Sequence, residues 1–551
     1  MPNKGAAVST AALFFCAAFT ASAAAPPCGT AVIPNGIGQD NPGPVTSLNP
    51  LLGPTVPNLQ AAILLYRPLV WLSPEDRMDP DASLVASITP MDGNTRLRLR
   101  LKPWRWSDGT PITSDDVRFG WERILALGDI WGYAGSGGLP ERIRALETPA
   151  PDTVDLLLST PTNPDWFTLN ALPSLTPLPR HAWGEIGRDA MWRRQTDPTL
   201  FRVVDGPFLL EDFAPNRQIS LIPNPLYGGP PARLARLVLD FGAGGSPLRA
   251  LQSGRIDMAH IPYALLDRLR ATPGFTPIRL PEPFGYEAIT YNLRNPSAAF
   301  LADAHVRRAL TDATPQTDII RIVYKGLATP NYVPVPAEAA ALRSQATRAG
   351  TLPVREDAAL ARQELDAAGW HPGPDGIRVK DSKRLALTVM GNADGTTAAQ
   401  VLQLIQPAWR AVGVEMRIET APFDRLLALM SGPPDGWQAI LQGITSGGLP
   451  SGSTEFATGG ANNAGGYADA TMDALIHRAE TAPGVDALYA YQDYAAAQQA
   501  WTILPQGGFG LLVANRLGGA DRFANPQGYW RPEMLFVKDG SCDAVAGPTR
   551  P

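Results

Sequence analysis

Leu97, Leu99 and Leu101 alternate with Arg96, Arg98, Arg100 and Lys102. A period of two predicts a strand with one buried face and one cationic, solvated face. The alternation carries on, so Trp104 and Trp106 point the same way as each other. Ser107-Asp108-Gly109 then reads as a turn. Thr113 and Asp116 have the spacing of a capping box, with Asp in place of the usual Glu. Val117, Trp121, Ile124 and Leu125 follow at helical spacing. Asp115 and Asp116 therefore fall in a first helical turn, where carboxylates complement the helix dipole. Residues 101–117 hold three aspartates and two tryptophans and could pass for an active site. Their pattern predicts strand, turn and capped helix instead.

Four other segments are as legible. Residues 355–370 predict a helix that stops at Gly369. Residues 397–420 predict a helix, a stop at Gly413 and a strand alternating Val414, Met416 and Ile418; Pro407 should kink that helix or shorten its first half. Residues 487–504, rich in Ala and Tyr, read as one helix. Residues 446–466 have almost no hydrophobic period and predict a long loop, a kind of segment that is often functional. Helical and strand patterns alternate without an internal repeat, which points to an α/β or α+β protein.

The chain has 551 residues, too many for one core, so two or three domains are expected. With 44% hydrophobic and 18% charged residues it is globular. A net charge of −5 argues against a general polyanion binder, so no nucleic-acid partner is expected. At the N-terminus, Lys4 precedes an apolar stretch, and Ala21-Ser22-Ala23 offers a small-x-small cleavage site. Residues 1–25 thus read as a cleavable signal peptide rather than a retained anchor. Cleavage leaves Cys28 and Cys542. An oxidising compartment favours their pairing over two free thiols. Cys28 follows Pro26-Pro27, which argues against lipidation.

Catalytic signatures are missing. There is no G-x-S-x-G elbow in a strand–turn–helix context, no H-E-x-x-H, no Walker loop and no G-x-G-x-x-G. His181, His260, His305, His371 and His477 are far apart and read as structural or surface residues. Asp108 has turn amides to satisfy. No catalytic residue, metal ligand or cofactor is assigned, and a binding protein is expected over an enzyme.

Seven segments, in order along nearly the whole mature chain, resemble one family. They are PVTSLNP (44–50), LLYRPLVWL (64–72), WRWSDGTPITSDDVRFGWERI (104–124), the 203–229 segment around Asn224-Pro225-Leu226-Tyr227, ALQSGRIDMAHIP (250–262), the 291–313 segment around Val306-Arg307-Arg308-Ala309-Leu310, and AGGYADATMDALIHRA (464–479). Together they are similar to the periplasmic solute-binding proteins of ABC importers, family 5, the oligopeptide, dipeptide and nickel type. The most specific is the W-S-D-G-x-P-x-T segment at 106–113.

That resemblance implies an α/β, periplasmic-binding-protein-like, two-lobed clamshell of class II type with an additional domain. It implies domain I over 26–66, 200–285 and 505–551, domain II over 67–199, and domain III over 286–504. A Cys28–Cys542 bridge would then lie within domain I. The implied function is capture of a peptide or peptide-like solute and delivery to a permease and ATPase complex in the inner membrane. The receptor would be a periplasmic monomer. Candidate ligand contacts carried over by position are Val56, Trp131, Tyr133, Thr445, Ser446 and Phe509. One departure matters. Peptide-binding members hold the peptide's α-amino group with an aspartate in domain III, shortly after a Gly-Trp pair. Here Ile444 stands for the tryptophan and no acid occurs before Glu455, which could serve only if the loop folds back. A non-peptide ligand on the same fold (a metal chelate, opine, sugar or other small organic solute) is the alternative, and a secreted hydrolase a more distant one.

Overall fold

The structure is a computed structural model that describes residues 26–538, apart from 36–43, 54, 74–76, 242–246, 271, 281–283, 394–396, 447 and 523–529. The signal-peptide segment and Cys542 lie outside the described residues. Cys28 is disulfide-bonded.

The arginine-leucine alternation forms strand Arg96–Leu101, which sits between Val85–Met91 and Thr153–Leu158 in an antiparallel sheet. Leu97, Leu99 and Trp106 are fully buried. The opposite face is not simply solvated. Asp155 on the neighbouring strand, itself buried, accepts from Arg96 at 2.9 Å and from Arg98 twice at 2.7 Å. Gly109 takes a left-handed φ of 90° in the turn, where Asp108 accepts the Thr110 N–H at 2.9 Å. Helix Ser114–Leu127 starts with the Thr113 N–H donating to the Asp116 carboxylate at 2.8 Å. The three aspartates of this stretch are thus occupied by a turn, a surface pair with Arg118 and a helix start.

Distant parts of the chain meet beside it. Strand Thr30–Pro34 runs parallel to Arg236–Asp240, and Phe509–Ala514 lies between Met258–Pro262 and Phe275–Arg279. The Trp530 indole donates to the Gln60 carbonyl at 2.7 Å. Arg67 and Glu533, both fully buried, pair at 2.5 Å.

A mixed five-stranded sheet has the order Glu415–Ala421, Ala386–Asn392, Ala439–Thr445, Gly285–Tyr291, Trp501–Leu504. The first three strands are parallel and the last two pairings antiparallel. Helix Thr397–Ala411 packs Val401, Leu402, Ile405 and Trp409 into this core. It runs through Pro407 without being shortened: one backbone bond is forgone, and burial of four large side chains outweighs it. The 487–504 segment is not one helix. Helix Asp486–Gln498 ends, Gln499 adopts φ 40°, and Trp501–Leu504 becomes a strand against Gly285–Tyr291. Gln499 is held there by Thr311, whose hydroxyl donates to its side chain at 3.0 Å, while four wholly buried residues complete the sheet. Tertiary pairing overrides the helical composition. Among the described residues, no helix is long and apolar enough to cross a membrane.

Candidate functional site

Among the described residues, 446 and 448–466 form neither helix nor strand, yet the loop carries its own hydrogen bonds. The Phe456 N–H donates to Gly452 O and the Asn462 N–H to Thr454 O, both at 2.8 Å. Asn463 donates to Ala457 O and Tyr467 O and accepts from the Tyr467 N–H. The loop is folded back on itself, and Glu455 is carried inward to 8% exposure.

This loop forms one wall of a cavity of about 310 Å³. The strands contribute Tyr286 and Thr445. The facing wall comes from Ala134, Ser136 and Gly137 and from helix Pro164–Asn170, through Trp166 and Asn170. Asn163 caps that helix, accepting from the Asp165 and Trp166 N–H groups. Its two lining side chains then reach across. The Trp166 indole donates to Ser451 Oγ at 3.1 Å, and Asn170 exchanges two bonds with the Leu449 backbone, at 2.8 and 2.9 Å. Arg142 pairs with Glu480 in the same region.

Burial raises the Glu455 carboxyl above its usual range, and hydrogen bonds from Thr454 and Asn462 only partly offset this. Tyr286 is also raised, by burial first and by the nearby Glu455 charge second. Tyr491 lies under the loop, and its burial and the same carboxylate keep it a neutral phenol. A Cβ on Gly452 would come within 2.0 Å of the Tyr491 hydroxyl, so the loop can approach only because residue 452, with a left-handed φ of 77°, is glycine. The result is a cavity rich in hydroxyl, amide and backbone groups around one buried acid. That acid can accept from an amine, amide or hydroxyl, and an arriving cation would favour its ionised form.

Of the residues singled out from sequence, Thr445 and Ser446 line this cavity. Trp131 is 2% exposed, in the core, edge-on to Tyr133 at 6.2 Å. Half-buried Tyr133 packs against that core, while its neighbours Ala134, Ser136 and Gly137 line the cavity. Val56 begins helix Val56–Leu65, and Phe509 begins a strand. Val56 is not among the lining residues described. Trp166, Asn170 and Tyr286 carried no signal of their own in the sequence. Asp108 and His181 pair at 2.7 Å on the surface, and the shallow depression around Asp116, Arg180 and His181 shares none of its described lining residues with the cavity. Among the described residues, no cluster of three or more His, Cys, Asp or Glu side chains is placed to hold a metal ion.

Residues 79–463 match the family model described as bacterial extracellular solute-binding proteins, family 5 Middle. A probable deoxycholate-binding periplasmic protein of Escherichia coli (strain K12) is 26% identical over 337 residues, covering 57% of this chain and 60% of the relative. The chain thus spans about three-fifths of the length of the curated relatives that it matches first. Among solved structures, the oligopeptide-binding protein AppA of Bacillus subtilis, in complex with a nonapeptide, aligns with a TM-score of 0.73 at 20% identity, covering 93% of this chain and 100% of that one. NikZ of Campylobacter jejuni, in complex with Ni(L-His), aligns with a TM-score of 0.74 at 19% identity, over 93% and 99%. The fold is the two-lobed α/β fold of these binding proteins.

Proposed function

Since the chain belongs to the bacterial extracellular solute-binding proteins of family 5, we propose that it is the periplasmic receptor of an ABC importer. It captures a small peptide-like solute between two lobes and presents it to a membrane permease. The observation that carries this reading is the cavity around Glu455, walled from two sides by side chains that hydrogen-bond across it. A ligand touching both walls stabilises only the closed arrangement and so shifts the population toward it. No bond is made or broken. Delivery to a permease and ATPase complex, export through residues 1–25 and action as a monomer follow from the same reading.

Glu455 takes the place of the acid missing before it. Its carboxylate would receive the ligand's amino group, because an ammonium in a closed cavity needs a counter-charge. Tyr286, Thr445 and Ser446 supply hydroxyls to the rest of the ligand. A volume of about 310 Å³ lies at the small end for ligand pockets. It favours a compact solute over a long peptide, and a non-peptide amine fits the same walls.

Native purification followed by mass spectrometry of the denatured protein tests this. A stoichiometric small molecule is expected, and adding it back should raise the melting temperature. Empty protein that no peptide or amine stabilises would overturn the reading, as would turnover of the trapped compound.

A further inference from the structure

A second cavity of about 120 Å³ lies between helix Phe423–Met430 and strand Ala439–Thr445. Its walls are mainly apolar, with Phe423, Leu426, Leu427 and Met430 from the helix and Ile440 and Leu441 from the strand, while Glu287, Asn392 and Gln442 add polar groups at its margin. Phe423 and Leu427, one helical turn apart, are 50% and 46% exposed. A soluble chain leaves such a pair in water only at a cost, and a contiguous apolar surface of this kind marks a binding site more often than an isolated exposed leucine does.

The two cavities meet on one strand. Thr445 lines the first and Gly443 the second. Residues two apart on a strand point to the same face and sit roughly 7 Å from each other. Ile444 between them points to the opposite face, and on the shared face the second cavity's nearest residue, Gly443, has no side chain. A Cβ on Gly443 would meet nothing within 4 Å, so the space beside it is open, and its φ is one that any residue adopts. Gly443 is paired with Glu287 within the sheet, where a glycine weakens the strand and suits close approach of a ligand.

We propose that the ligand is amphipathic, with its polar end in the Glu455 cavity and an apolar chain or ring passing Gly443 into the cavity under Phe423 and Leu427. This rests on the reading of the Glu455 cavity as the ligand site. Met430 lets the second cavity adapt to tails of different shape.

Primary alkylamines from ethylamine to decylamine test it, titrated calorimetrically into the full mature protein after its bound solute is removed. Beyond the first few carbons, affinity should rise by roughly fourfold per buried methylene. Gly443→Leu fills the passage and should weaken octylamine at least tenfold while leaving ethylamine unchanged. Leu427→Gln, on the exposed helix face and so safe for folding, should flatten the upper part of the series. Equal affinity along the series overturns the inference and leaves the Glu455 site standing. Failure of every amine to bind overturns that site and the inference with it. A flat series together with self-association that Leu427→Gln relieves would assign the patch to a second copy of the chain, and would also overturn the proposal.

Discussion

The side-chain amide of Asn170 and the backbone of Leu449 exchange two hydrogen bonds, as two paired strands would. One partner stands on a capped helix and the other on the aperiodic loop, so the pair ties together the two walls of the cavity. Leu449 is 7% exposed; its C=O also accepts the Ser451 N–H at 2.9 Å, whereas its N–H relies on Asn170. Asn170→Ala should therefore cost the closed arrangement about 2 kcal/mol, roughly 30-fold in its population. In the open arrangement both groups are hydrated and the substitution costs little. Small-angle scattering of ligand-free protein should show a larger radius of gyration for the variant. Identical curves would mean that this pair does not hold the walls together.

Glu455 gives a pH signature. Burial raises its folded value above the unfolded value of 4.5. From 4.5 up to that raised value the native chain holds the extra proton, so stability falls as pH rises through the window and stays lowered above it. Glu455→Gln cannot ionise. The variant should melt higher than wild type at about pH 8, and the two should converge near pH 4. It should also bind amines far more weakly. A wild-type advantage at high pH would show that Glu455 is stabilised as an anion by a contact in the empty protein.

What the sequence displayed, and what it hid, follows from the range of the interactions involved. Strand Arg96–Leu101 and the Thr113–Asp116 helix start were legible because side-chain alternation and capping act over a few residues. The loop at 446–466 was legible as a loop for the same reason. Its inward carriage of Glu455 was not, since that depends on Asn463, Gly452 and Tyr491 meeting in space. Strand Trp501–Leu504 was lost because Gln499 reverses the chain through a bond to Thr311, 188 positions away. Asp155 under Arg96 and Arg98 is likewise a non-local partner. Trp131 carried a positional resemblance, but the Gly-rich turns at 128–138 send its side chain into the core and leave the smaller residues after it to line the cavity.

The Arg67–Glu533 pair makes the C-terminal segment a determinant of stability. Both side chains are wholly buried, Arg67 Nε also donates to Tyr227 at 3.1 Å, and the guanidinium lies 4.0 Å from the Trp71 ring centroid. Glu533→Gln strands a buried cation and should cost roughly 3–5 kcal/mol in chemical denaturation. Replacing both partners with Arg67→Met and Glu533→Leu should recover most of that loss, because desolvation of two charges is avoided. A double variant as unstable as the single one would mean that the bonds to Tyr227 and the Trp71 stacking, rather than the ion pair, hold the segment.

Asp116 separates scaffold from site. Its carboxylate accepts from the Thr113 N–H at 2.8 Å and faces the Arg180 N–H at 3.4 Å, and it is 6% exposed. Asp116→Ala leaves a helix-start donor without its acceptor and should cost about 1–2 kcal/mol. Asp116→Asn keeps an oxygen in place and should cost less. Burial holds this carboxyl above its ordinary value, so the Asn variant also removes a charge that the fold accommodates poorly. Neither change should alter ligand affinity, because the depression around Asp116 and the cavity around Glu455 have no described lining residue in common. Denaturation and calorimetry on the same preparations check both halves. A loss of affinity without a loss of stability would reverse the assignment and make the aspartate-rich stretch at 101–117 part of the ligand site.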